Sequence, residues 1–80
     1  MHITAVQSGT LAAIGYDSAR GILQLEFRSR AVYSFFGVPG AVYESLLTAA
    51  SKGRYFNRAI RGQFPHSRIA GTRFGLRGEA

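Results

Sequence analysis

The chain has 80 residues, with ten Lys and Arg against four Asp and Glu, a formal net charge of +6 and no cysteine. That describes one small domain, and it excludes a two-lobed enzyme, disulfides, a thiolate nucleophile and a cysteine-based zinc site. An apolar content of 46% can build a core, although a chain this short withdraws only about 60–65% of its unfolded surface and keeps a thin stability margin.

The opening residues Met1-His2-Ile3-Thr4-Ala5-Val6 lack the charged start and continuous apolar run of a secretory signal. No stretch approaches the roughly 20 apolar residues of a membrane span, so the expected location is cytoplasmic. Leu11-Ala12-Ala13-Ile14-Gly15-Tyr16 reads as a strand, closed by the turn residues Asp17-Ser18-Ala19-Arg20-Gly21. In Ile22-Leu23-Gln24-Leu25-Glu26-Phe27-Arg28, apolar Leu23, Leu25 and Phe27 alternate with polar Gln24, Glu26 and Arg28, the period-two signature of a half-buried strand. Ser29-Arg30 is a tight connection to a third strand, Ala31-Val32-Tyr33-Ser34-Phe35-Phe36. The first half therefore predicts a three-stranded antiparallel meander.

The pattern changes at Gly37-Val38-Pro39-Gly40, where Pro39 suits the start of a helix. Val42, Leu46, Ala49 and Ala50, flanked by Tyr43 and Leu47, form an apolar stripe opposite Glu44, Ser45 and Thr48, which predicts a helix over about 39–50. Ser51-Lys52-Gly53 interrupts it, and Arg54-Tyr55-Phe56-Asn57-Arg58-Ala59-Ile60-Arg61 predicts a second, short helix ended by Gly62. At about 100° per residue, Arg54, Arg58 and Arg61 fall within about 40° of one line while Phe56 and Ile60 lie opposite. A helix so short is marginal alone in water, so its docked face must supply the order. From Gln63 the residues become rich in Gly, Arg and Ser without a period, and 66–80 reads as a mobile basic tail following a domain over 1–65. The fold class expected is thus α+β, three strands and then two helices.

The charge is segregated. Residues 1–51 are formally neutral, whereas Lys52, Arg54, Arg58, Arg61, Arg68, Arg73 and Arg77 face only Glu79, with no acid between Glu44 and Glu79. A run of one sign is either a solvated surface or the footprint of an anionic partner. The preference for arginine, nine against one lysine, fits bidentate phosphate contacts and equally fits the bias of a GC-rich genome.

Taken in order, Gly15-Tyr16-Asp17, Leu23-x-Leu25-x-Phe27, Tyr33-x-Phe35, Val38-Pro39 with Val42-Tyr43 and Leu46, and Ala50-Ser51-x-Gly53-x-Tyr55-Phe56-Asn57-x-x-Ile60-Arg61 resemble the KTSC domain family over residues 6 to 64. That family is named for a segment at the C-terminus of some lysyl-tRNA synthetases and also occurs as small free-standing bacterial proteins. The resemblance implies no established activity, and RNA binding is suggested by the synthetase context. The family's Tyr-x-Tyr is Tyr33-Ser34-Phe35 here, which removes one hydroxyl but keeps the ring for stacking.

Catalysis finds no support. His2 and His66 are the only histidines, far apart, and nothing places a nucleophile, a base and an orienting group together. No set of zinc ligands and no cofactor motif is present. Gly37-Val38-Pro39-Gly40 has the form of a backbone-clamping GxxG loop, but the strand-to-helix turn already accounts for its residues. Tyr33 and Phe35 share a strand face, suited either to the core or to base stacking. Ser51-Lys52-Gly53-Arg54 offers amides and cations to a phosphate, while Ser51 serves equally as a helix cap. The expected function is non-catalytic binding of a nucleic acid, RNA first, through Lys52, Arg54, Asn57, Arg58, Arg61 and Arg68 with Tyr33 and Phe35. The alternative is a protein-interaction module docking on an acidic surface of a transcription or translation machine.

Overall fold

In a computed structural model, residues 2–69 are described. The order is β1 (His2–Ala5), β2 (Leu11–Asp17), β3 (Ile22–Phe27), β4 (Val32–Phe35), α1 (Gly40–Thr48), α2 (Lys52–Tyr55), a π-helical turn (Phe56–Ile60) and β5 (His66–Ile69). The α+β class and the central meander match expectation. Two further strands enlarge it: one antiparallel sheet has five strands in the order β1-β2-β3-β4-β5. Residues 66–69, expected in the tail, instead pair with β4, and the rest of the expected tail, 70–80, lies outside the described residues.

Pairing explains the additions. β1 runs alongside β2 with Thr4 opposite Ile14, and β5 runs alongside β4 with Arg68 opposite Tyr33. Each edge strand therefore takes its hydrogen bonds from a strongly patterned neighbour and needs little apolar pattern of its own.

Alternation sets which side chains meet. The β2–β3 register places Ile14 opposite Leu25 and Tyr16 opposite Leu23, and the β3–β4 register places Leu23 opposite Phe35 and Leu25 opposite Tyr33. These residues share one face, and Tyr43, Leu46 and Ile60 of the helical layer join them in the core. Glu26, expected towards solvent, is instead 1% exposed. It sits on the central strand opposite Ala13 and Val32, both fully buried, so strand neighbours flank it on both sides.

α1 begins at Pro39, whose extended backbone (φ −66°, ψ 151°) precedes the first turn and whose carbonyl accepts from the Val42 amide at 3.0 Å. Its buried side chains are Tyr43 and Leu46, so the docked stripe is centred one residue beyond the expected Val42. Tyr43 stacks on Tyr16 with ring centroids 4.6 Å apart, and the Tyr16 hydroxyl donates to the Val38 carbonyl at 2.6 Å. This buried bond ties β2 to the loop that launches α1. Tyr16→Phe keeps the stack but orphans the carbonyl, and is expected to cost about 1–2 kcal/mol. The urea-unfolding midpoint measures it, and an unchanged midpoint would show the bond to be idle.

Candidate functional site

The hairpin between β3 and β4 turns at Arg28-Ser29-Arg30, where the Arg30 amide donates to the Phe27 carbonyl at 2.9 Å and the Phe27 amide to the Ala31 carbonyl at 2.8 Å. Arg30 sits at φ 76°, a left-handed conformation costing a non-glycine residue roughly 1–2 kcal/mol. This turn brings Phe27 beside Tyr33, their centroids 5.8 Å apart and edge to face. The β4–β5 register sets His66 opposite Phe35, with the imidazole 5.5 Å from the Phe35 ring and 5.8 Å from that of Tyr33.

The helical layer supplies the facing wall. The Ser51 hydroxyl accepts from the Arg54 amide at 3.3 Å, the expected cap on the short helix. The chain then widens into the π turn, in which the Arg61 amide donates to the Phe56 carbonyl at 2.8 Å. Phe56 packs edge to face on Phe27 at 5.3 Å and on Phe35 at 5.7 Å. Gly62 reverses the chain at φ 75°, open to it because it has no Cβ.

The result is a cleft of about 510 Å³ whose walls include Phe27, Tyr33, Phe35, Phe56, Arg61 and His66. Phe35 is buried at 3% exposure, whereas Phe27, Tyr33 and Phe56 are half-buried and His66 and Arg61 are exposed. The core is thus left open at one end, with rings inside and the Arg61 guanidinium at the mouth. No carboxylate is among the residues lining the cleft.

The expected site residues divide accordingly. Tyr33, Phe35 and Arg61 line the cleft, and the Arg68 guanidinium lies 5.9 Å from the centre of the Tyr33 ring. Arg54, Asn57 and Arg58 are exposed on the helical layer, with Arg58 stacked over Tyr55 at 5.5 Å. Lys52 is half-buried, and its Nζ donates to the Ala49 carbonyl at 3.2 Å, closing the C-terminal end of α1. It also borders a second hollow of about 350 Å³ with Ser8, Thr10 and Ser51. The regular line of arginines breaks at Arg61, whose ψ of 124° ends the helix; the extra residue in the π turn has already shifted the 100° spacing. Sequence reasoning missed Phe27, Phe56 and His66 as wall residues. Their signal, aromatic residues on three separate elements, becomes readable only once β5 is placed.

A model of the KTSC domain matches residues 7–64. The chain belongs to the KTSC domain family. The crystal structure of a KTSC domain protein from Yersinia pestis superposes with a TM-score of 0.82 at 34% identity, covering 85% of this chain and 96% of that one. A protein of Stutzerimonas stutzeri is 43% identical over 63 residues, 79% of this chain and 89% of its own length. A lysine–tRNA ligase of Nostoc is 40% identical over 60 residues, which is 75% of this chain but only 11% of the ligase. KTSC sequences are therefore found both as small proteins and as a small part of a much larger one. In the present KTSC domain no group of three or more metal-ligating side chains occurs among the described residues. No helix among those residues is long and apolar enough to cross a membrane.

Proposed function

We propose that this domain is a non-catalytic nucleic-acid-binding module, with RNA as the preferred partner, that grips phosphates through Arg54, Arg58, Arg61 and Arg68. The observation carrying this reading is the exposure of those four guanidinium groups on one stretch of the chain. All are exposed, and the Arg20–Asp17 ion pair involves none of them. Exposed arginines raise the local potential and can exchange counterions for phosphate. The likeness to part of a lysine–tRNA ligase supports a setting in which RNA is at hand.

Four phosphate contacts to a single strand give a slope of about −2.8 in log affinity against log salt, so raising salt from 50 to 200 mM weakens binding roughly 50-fold. Fluorescence anisotropy with a labelled RNA measures the slope, and each Arg→Gln change at these positions flattens it by about 0.7. Binding indifferent to salt, or no binding at low salt, rejects the reading. So does recovery from cell extract of a protein partner that survives nuclease while no RNA is recovered.

A further inference from the structure

We infer that the aromatic cleft is a stacking slot for one unpaired nucleobase, which makes the partner a single strand and not a duplex. This deepens the phosphate-binding reading and rests on it. Three half-buried rings, Phe27, Tyr33 and Phe56, line the cleft, and β5 adds the imidazole of His66. The opening carries the exposed Arg61 among its lining residues.

Shape and charge select the occupant together. The cleft volume of about 510 Å³ lies within the range of small-ligand sites, roughly 300–1,000 Å³, and suits a flat group laid against the half-buried Tyr33 ring at its open end. A base in a duplex has both faces covered by its neighbours and cannot enter. A base in a single strand can, and every base offers a π face. The attached phosphates then fall beside Arg61 and Arg68, where no lining carboxylate opposes them.

Arg68 shows how the slot accepts a planar partner. Its exposed guanidinium lies over the Tyr33 ring at 5.9 Å, so that face is open to a flat group. An exposed cation–π contact is weaker than base–aromatic stacking. The entering base takes over the ring face and releases Arg68 to the adjoining phosphate.

The test compares three labelled probes of about ten nucleotides: a single-stranded RNA, the same RNA annealed to its complement, and an abasic ribose-phosphate strand. The single strand is expected to bind roughly 10-fold tighter than the abasic strand at equal salt. Tyr33→Leu, which keeps apolar volume but removes the ring, abolishes that advantage, and Tyr33→Phe retains it. His66→Ala, at an exposed edge position that leaves the core intact, lowers single-strand affinity roughly fivefold and leaves abasic binding unchanged. Equal, salt-dependent binding of all three probes overturns the slot and leaves the phosphate-gripping role standing. No binding to any probe overturns both.

Discussion

Ile60→Ala is expected to lower the free energy of unfolding by about 3–4 kcal/mol. Ile60 is fully buried and is the last residue of the π turn. The segment it anchors has four α-helical residues and five in the π turn, too few to be ordered alone in water. Tyr55, Phe56 and Ala59 pack on the core beside it, but each is only half-buried, so Ile60 is the segment's one fully desolvated contact. Truncation removes transfer energy and leaves a void that flanking strands cannot fill. A domain of this length has a total stability of about 4–12 kcal/mol, so the loss is a large share of it. Urea denaturation measures the change, with Ile60→Val, expected to lose about 0.5–1.5 kcal/mol, as the graded control. A loss under about 1 kcal/mol would show that the segment is held elsewhere.

Gly53→Val is expected to cost about 3 kcal/mol. A Cβ at this position would lie 2.6 Å from the Thr10 Oγ1 and 3.2 Å from the Thr10 Cβ. The hydroxyl can rotate away, but the Thr10 Cβ is fixed to a backbone held nearby: the Ser8 hydroxyl accepts from the Thr10 and Leu11 amides at 3.1 and 3.2 Å, and Arg28 donates to the Ser8 carbonyl at 2.7 Å. The loop between β1 and β2 thus presses on the start of α2, and only glycine fits between them. If the clash is the cause, Thr10→Gly in the same chain restores most of the loss. A double-mutant cycle should then give a coupling of about 1–3 kcal/mol, and simple additivity would place the damage in the helix itself.

The strongly patterned elements were legible in the sequence. Strands at 11–17, 22–27 and 32–35 and the helix at 40–48 follow from alternation, from the turn chemistry at Asp17-Ser18 and from Pro39. The Ser51 cap followed from its hydroxyl ahead of a helical run. Three features were hidden, each for a physical reason. β5 is the polar stretch His66-Ser67-Arg68-Ile69, exposed except at Ile69; an edge strand is made by its partner's hydrogen-bonding groups, which no local pattern reveals. The π turn, closed by the Arg61 amide donating to the Phe56 carbonyl, has no residue signature. The cleft unites β3, β4, the π turn and β5, so its walls lie as far apart as Phe27 and His66. Reading Arg54, Arg58 and Arg61 as one stripe assumed a regular helix, and the stripe loses Arg61 where the helix does.

The strand order has a kinetic counterpart. β1 to β4 are joined by the brief connections at 6–10, 18–21 and 28–31, whereas β5 reaches β4 only after residues 36–65. Closing that longer span costs about 2 kcal/mol more chain entropy than a four-residue hairpin, and β5 buries little in return. Its amides should therefore exchange with solvent hydrogen ahead of those of β2 and β3. Early exchange of that strand would mean that the wall carrying His66 and Arg68 can swing open while the sheet beneath it stays folded.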